Sequence, residues 1–350
     1  MKRATFLLLV TLLALAGAAV AAVAATPTPG APHDALQATG PQSAHIVDLW
    51  RVFVWTCSIV FGLILAVLLV VLWRGPRATE LAPADLSSTV AAEPQPTRRV
   101  TLAVAASSVL LLLLIVASVF TDRALAHLSL RDAVNLEVTG HQWWWTVKYL
   151  SKDSPSQNIE TANEIHVPVG RPVVVTLKSD DVIHSLWMPN LAGKRDLIPG
   201  RTAQLTFQAD KPGPYRGQCA EFCGYQHALM ALLVVADPPE QYEAWLQAQR
   251  RPAAEPTDAT AQRGKMLFQS TSCAMCHTVQ GTLAQGKHAP DLTHVASRRT
   301  LAAGTLPNTR EALASWIADP QKHKPGTNMP ATPLSPEDLQ AIVAYLGGLR

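Results

Sequence analysis

The sequence predicts a membrane-anchored chain of several domains: a hairpin of two spanning helices, then a small all-β domain, then an all-α domain. Three observations predict it. Two apolar runs, Val47–Trp73 and Val100–Phe120, are each long enough to cross ~30 Å of hydrocarbon as a helix of about 20 residues; the second carries no charge at all. From Val134 to Asp237, short β-rich runs alternate with Pro, Gly and Asp, and no helical period intervenes. Beyond Arg251–Thr260 (RPAAEPTDAT), which has linker composition, come three helical segments, Ala261–Gln269, Thr309–Ala318 and Ser335–Leu346. A chain of 350 residues has room for two or more cores. Its formal net charge of only +3 calls for no nucleic-acid partner.

Taken in order, Lys2 and Arg3 precede an apolar stretch ending in small residues near Ala22–Ala24, the pattern of a cleaved secretory signal over 1–25. Residues 26–45 are rich in Pro, Gly and Ala and are expected to be irregular. The hairpin is assigned to 46–122. Trp50, Trp55 and Trp73 lie near the ends of its first helix, and Arg74, Arg77, Arg98 and Arg99 crowd the loop between the helices. Aromatics collect at membrane interfaces and basic short loops stay in the cytoplasm, so everything after Thr121 is expected on the outer side. Cys57, inside the first run, reads as a packing residue.

The β-domain is assigned to 130–250. VNLEVTG, EIHVPVG, RPVVVTLKS, RTAQLTFQA and ALMALLVVA are its clearest strands, and they suggest a small antiparallel sandwich or barrel. Pro238 and Pro239 open an amphipathic helix through about Gln249, with Tyr242, Trp245 and Leu246 on one side. Residues 251–260 form the linker, and 261–350 the last domain.

The densest chemistry is RGQCAEFCGYQHALM at Arg216–Met230. It offers Cys219, Cys223, His227 and Met230 within twelve residues, with Glu221 between the thiols and His184 upstream in DVIHSLWMP. Two thiolates, two imidazoles and a thioether are a soft donor set that favours copper over magnesium, calcium or manganese. One four-coordinate ion cannot use five such donors comfortably, whereas two coppers bridged by both thiolates can. A Cys2His2 zinc site would leave Met230 unexplained, and a Cys219–Cys223 disulfide is the other alternative.

Cys273-Ala-Met-Cys276-His277 is the C-x-x-C-H signature of covalent haem c attachment, with His277 as an axial ligand. Met329 in PGTNMP is the best candidate for the sixth ligand, because Met/His ligation raises the potential as an electron carrier requires. Met266, Met275, His288, His294 and His323 are the weaker candidates. The last helix opens Ser-Pro-Glu-Asp, with Ser335 as cap and Pro336 at the first helical position.

On these residues the chain resembles cytochrome c oxidase subunit II, the copper A family, in the branch with a fused carboxy-terminal cytochrome c domain. The hairpin, GHQWWW at Gly140–Trp145 and RDLIPGR at Arg195–Arg201 carry the resemblance as well. It implies a cupredoxin-like Greek-key barrel behind the hairpin, followed by an all-α class I cytochrome c domain. It implies that Cys219 and Cys223 bridge two coppers, that His184 and His227 bind one each, and that Met230 and the Glu221 carbonyl are weak outer ligands. The Glu221 side chain would reach a magnesium ion shared with subunit I, and Trp143 would be the aromatic through which electrons arrive. Haem c would be held by Cys273, Cys276, His277 and Met329. The implied partners are subunit I, with haem a and the oxygen-reducing centre, subunit III, a cytochrome donor and the lipid bilayer. The implied location is a bacterial plasma membrane, with the copper and haem domains outside.

One departure stands out. Where the family often carries a glutamate at the start of the second helix, this chain reads PTRRV, and the nearest acid is Glu93. Proton transfer into subunit I by that route is in doubt. Two other functional classes compete: the electron-accepting subunit of a copper A nitric oxide reductase, whose catalytic metals lie in another chain, and a membrane-bound copper chaperone or thiol protein. Met230 and the upstream His184 speak against the chaperone. Residues 131–250 hold 11 Lys/Arg against 13 Asp/Glu, and 261–350 hold 9 against 5. A basic domain tethered to a slightly acidic one is expected to dock by charge, without needing a tight interface.

Overall fold

The computed structural model describes residues 34–74, 94–126 and 129–350. The signal-type segment over 1–25, Arg77 and Glu93 lie outside the described residues.

Helices α1 (Pro41–Arg74) and α2 (Pro94–Ala126) pack on each other, and both are long and apolar enough to cross a membrane. α1 begins at Pro41 rather than Val47, because Gly40 and Ser43 cap it: Ser43 Oγ accepts from Gly40 N at 3.3 Å and donates to the Asn190 carbonyl at 2.7 Å. The turn before it is therefore not free. Thr39 N donates to Asn190 O and Asp210 N to Thr39 O, both at 2.8 Å, which ties the start of α1 to the β-domain. Cys57 is exposed on α1 rather than packed.

Ten strands form the β-domain in two five-stranded sheets: β1 (Val134–His141), β2 (Trp144–Tyr149), β3 (Ile159–Ala162), β4 (Glu164–Pro168), β5 (Pro172–Ser179), β6 (His184–Trp187), β7 (Lys194–Leu197), β8 (Ala203–Gln208), β9 (Gly213–Cys219) and β10 (Ala231–Asp237). The sheet orders are β3-β2-β1-β5-β8 and β4-β10-β9-β6-β7. The expectation of a purely antiparallel sandwich needs correcting, because β1 pairs with β5 and β10 with β4 in parallel. Crossovers between sheets bring the start and end of this cupredoxin-like domain alongside strands that run the same way.

Alternation with period two drives the packing. On β1, Leu136 and Val138 are fully buried; on β2, Trp145 and Val147 are, with Val147 directly opposite Val138 so that both strands turn the same face inward. Each such side chain stabilises the core by roughly 1.5–3 kcal/mol. β10 starts at Ala231, not at Ala228 as expected, because His227–Leu229 form a single 3-10 turn instead. Helix α3 (Pro239–Gln249) lays Tyr242, Trp245 and Leu246 on the sandwich.

The last region is helical. α4 (Ala259–Ser270) is capped by Asp258, α6 (Arg310–Ala318) by Thr309 and α8 (Pro336–Gly347) by Ser335, each side chain accepting a backbone N–H three residues on. Between them lie α5 (Cys273–Cys276), a two-residue hairpin β11–β12 (Thr300–Leu301, Leu306–Pro307) and α7 (Pro320–His323). α4 crosses α8 so closely that a Cβ on Gly264 would run into the Ala341 carbonyl. This region rests directly on the β-domain. The contacts are hydrogen bonds, many to backbone carbonyls, and no salt bridge joins the two among the described residues. Docking by net charge was the expectation; the observed interface is built from directional bonds instead.

Candidate metal centre

β6 begins at His184 and β9 ends at Cys219, and the two strands are neighbours in one sheet. That adjacency brings a residue 35 positions upstream to the thiols: His184 Nδ1 lies 3.9 Å from Cys219 Sγ. The turn after β9 then folds back. Cys219 Sγ and Cys223 Sγ are 3.8 Å apart, Cys223 Sγ is 3.7 Å from His227 Nδ1 and 3.8 Å from Met230 Sδ, and the Glu221 carbonyl lies 3.3 Å from Cys219 Sγ. Met230 reaches inward because the 3-10 turn, rather than a strand, precedes β10. All six sequence-derived donors of this set thus converge, while the Glu221 side chain points outward and is exposed.

The centre is nearly dry. His184, Cys219, Cys223 and Met230 are buried at 3% exposure or less. The two sulfurs share a hydrogen bond that pushes Cys219 well down and Cys223 up, so one thiolate is favoured even before any cation arrives. Burial opposes a charge on His184, but its bonds to Asp181 and Cys219 outweigh that and raise its pKa. The chemistry of this donor set fits two soft cations bridged by thiolates: five soft side-chain donors, one carbonyl and no competing carboxylate.

Three supports escaped the sequence reading. Asp181 Oδ1 holds His184 Nε2 at 2.8 Å, which leaves Nδ1 facing the sulfurs, and Asp181 Oδ2 accepts Gln142 N. A Cβ on Gly140 would lie 2.7 Å from His184 Cδ2, so only glycine admits the ring. Gly224, at φ +112°, is in a conformation that side chains avoid, and a Cβ there would crowd Trp143 Cζ2 at 3.1 Å. An acid three residues before a candidate ligand histidine was a visible signal. Glycines on β1 and in the loop were not, because what they approach lies in another strand.

Trp143 is buried against this loop, and its Nε1 donates to the Cys223 carbonyl at 2.9 Å; Gln142 Nε2 donates to the same oxygen at 2.7 Å. Trp145 is a core residue that meets His184 edge-on, and Trp144 stacks on His141.

In the helical region Cys273 and Cys276 occupy one turn, both half-buried. His277 follows, and its Nδ1–H donates to the Pro290 carbonyl at 2.7 Å, which leaves Nε2 as the free lone pair. Burial pushes its pKa down, which favours the neutral ring. A neutral imidazole with one nitrogen anchored and the other open suits an axial haem ligand. Met329 stands on the loop between α7 and α8, half-buried, its carbonyl held by Gln321 Nε2 at 3.1 Å. His294 and His323 already have partners: the Arg251 and Arg350 carbonyls for one, Ser315 Oγ for the other.

Residues 134–237 match the family model of the cytochrome c oxidase subunit II periplasmic domain, and residues 261–350 match that of cytochrome c. Cytochrome c oxidase subunit 2 of Alkalihalophilus pseudofirmus is 40% identical over 221 residues, covering 63% of this chain and 62% of that protein. Its counterpart in Bacillus sp. PS3 is 33% identical over 234 residues, with 63% of each covered. Both matches span less than two thirds of these relatives' own length. The crystal structure of the periplasmic domain of subunit II of cytochrome oxidase (CoxB) of Bradyrhizobium japonicum aligns at 29% identity and a TM-score of 0.32, over 35% of this chain and 97% of that one.

Proposed function

On a chain that carries a cytochrome c oxidase subunit II periplasmic domain followed by a cytochrome c domain, we propose that it is the electron-accepting subunit of a haem-copper terminal oxidase. In this reading it takes electrons from an external cytochrome and delivers them to haem a of subunit I, where oxygen is reduced to water. Haem c is held by Cys273, Cys276, His277 and Met329. Dinuclear copper A is held by His184, Cys219, Cys223, His227, Met230 and the Glu221 carbonyl. When bound, the two centres supply one-electron stores that change little in geometry on reduction.

The chain's own residues do the rest. Asp181 orients His184, and the β6–β9 pairing holds the imidazole at fixed distance from the thiols. Trp143 and Gln142 clamp the Cys223 carbonyl, so the metal-binding loop cannot relax when its charge changes. The exposed Glu221 carboxylate is free to share a magnesium ion with subunit I. α1 and α2 anchor the chain in a bacterial plasma membrane, with both soluble domains outside and subunits I and III beside the hairpin.

The observation that carries this reading is that all the other donors lie within 3.9 Å of one of the two buried thiols, Cys219 and Cys223. The full chain, purified in detergent, should contain two coppers and one haem and show a mixed-valence near-infrared band. One zinc, or no copper, overturns it. In stopped-flow reduction, haem c should be reduced before copper; the reverse order would overturn the direction of flow.

A further inference from the structure

Two loops of the helical region meet the β-domain on the rim of the metal centre. The first is Ala302–Thr305, the turn of the β11–β12 hairpin. Ala302 and Ala303 are consecutive non-glycine residues at φ 51° and 56°, a left-handed run that L-residues avoid. Such strain persists only where the surroundings over-determine it. Here they do: Ala231 N donates to Ala303 O at 3.0 Å and Arg216 Nη1 to Gly304 O at 3.1 Å, while Thr305 Oγ1 donates to Ala302 O at 2.8 Å within the turn, 3.4 Å from Leu229 O. Leu229 and Ala231 flank Met230.

The second loop runs from Lys324 to Met329. Asn328 Nδ2 donates to Gln142 O at 3.0 Å, and Pro325 O accepts from Gln226 Nε2, next to His227. Lys324 joins both loops. Its Nζ lies 3.0 Å from Trp143 O and 3.4 Å from Ala302 O, its side chain is 2% exposed, and no carboxylate pairs with it among the described residues. Burial pulls the Lys324 pKa down to about 8 with only the Cys223 sulfur acting against it, so a lysine at this junction is costly and asks for a reason beyond packing.

We propose that Lys324 is the positioning residue that docks the cytochrome c domain on the copper domain, pinning the strained 302–305 turn and the Met329 loop over Trp143. The proposal deepens the reading above and rests on it for the identity of the two centres. It has a consequence for where donors bind. Trp143 is 7% exposed and its carbonyl is capped by Lys324, so an external cytochrome is expected to dock on the cytochrome c domain rather than at the tryptophan. The bonded route from that domain then runs from Asn328 and Lys324 through Gln142 and Trp143 to the Cys223 carbonyl.

The test uses the full chain in detergent, with Lys324→Met and Asn328→Ala. Hydrogen exchange is read at two amides whose acceptors lie across the interface: Ala231 N, bonded to Ala303 O, and Arg299 N, bonded to Glu164 Oε2. Losing a charged hydrogen-bond donor should weaken docking about tenfold or more, and the neutral Asn328 contact about threefold. In the loaded chain, electron transfer from photoreduced haem c to copper should slow by a similar factor in Lys324→Met, while the copper band and haem spectrum stay unchanged. Unchanged exchange at both amides, or an unchanged transfer rate, overturns the proposal. Lys324→Arg, which keeps the charge and donors, should recover most of the protection; failure to do so while Lys324→Met retains it also counts against the strut. A wild-type chain lacking copper or haem would instead sink the functional reading, and the exchange measurement would still report on docking.

Discussion

The copper-type and haem-type sites are built on opposite plans. In the β-domain, donors from two neighbouring strands and one loop stand 3.3–3.9 Å apart, held by sheet hydrogen bonds that owe nothing to a cation. In the helical domain three of the four proposed haem ligands sit within five consecutive residues, and the fourth comes from a distant loop. Its buried apolar set is small beside that of the sandwich. A ladder-held site is formed before its ligand arrives, whereas a small helical domain of this kind needs the prosthetic group as part of its core.

Removing the group from each site breaks the comparison most severely. Cys219→Ser should abolish the near-infrared band and copper binding while leaving the strand signature in circular dichroism intact. The double change Cys273→Ser, Cys276→Ser should remove covalent haem and also cost helical signal and thermal stability in the last domain. If the copper-site variant unfolds its domain and the haem-site variant does not, the contrast is wrong.

A narrower break is Gly140→Ala. The added methyl would overlap His184, and overpacking of this kind typically costs about 1–3 kcal/mol. The expected outcome is a lower melting temperature together with perturbed copper hyperfine lines. Asp181→Asn is gentler, because it keeps the shape and weakens only the partner of His184. Loss of such a partner typically lowers metal affinity about 10–100-fold, measurable by copper competition with a chelator; unchanged affinity would remove Asp181 from the account.

The smallest expected effect concerns how the domains are joined. His166 lies between Asp237, 2.6 Å away, and Glu164, 3.0 Å away, and Glu164 also accepts from Arg299 N of the helical domain. Burial works against a charge on His166, but these two bonds win and raise its pKa above 6.5. The stability it contributes is therefore fully present below pH 6.5 and is lost as pH rises through the raised value. Thermal melts of wild type and His166→Gln should converge as pH rises through that window; parallel curves would show that His166 does not titrate there.

Much of this was readable in the chain before any coordinates. The C-x-x-C-H motif is local, so its residue types and spacing suffice. The Cys219–Met230 spacing is nearly as compact, and His184 in DVIHSLWMP entered as the second imidazole of the five-donor set. The helix cap at Ser335 was equally plain. Other features were not readable, for one shared reason. The parallel pairs β1–β5 and β4–β10, the glycine at 140 and the exposed position of Cys57 depend on which distant segment lies alongside, and local patterns carry no record of that.

The sequence by itself determined the parts: two apolar spans, a strand-rich domain with soft donors, a haem-binding motif and the charge of each region. Local propensity, period and ligand chemistry are properties of short stretches, so they survive without a fold. Only the tertiary structure decided how the two domains meet. From composition, a basic and an acidic domain would be expected to attract each other loosely. In the fold, Lys324 instead points its charge at two carbonyls, one beneath Trp143 and one in a strained turn. Net charge adds up along a chain, but a hydrogen bond requires a particular donor, acceptor and angle, and those exist only once the backbones are in place.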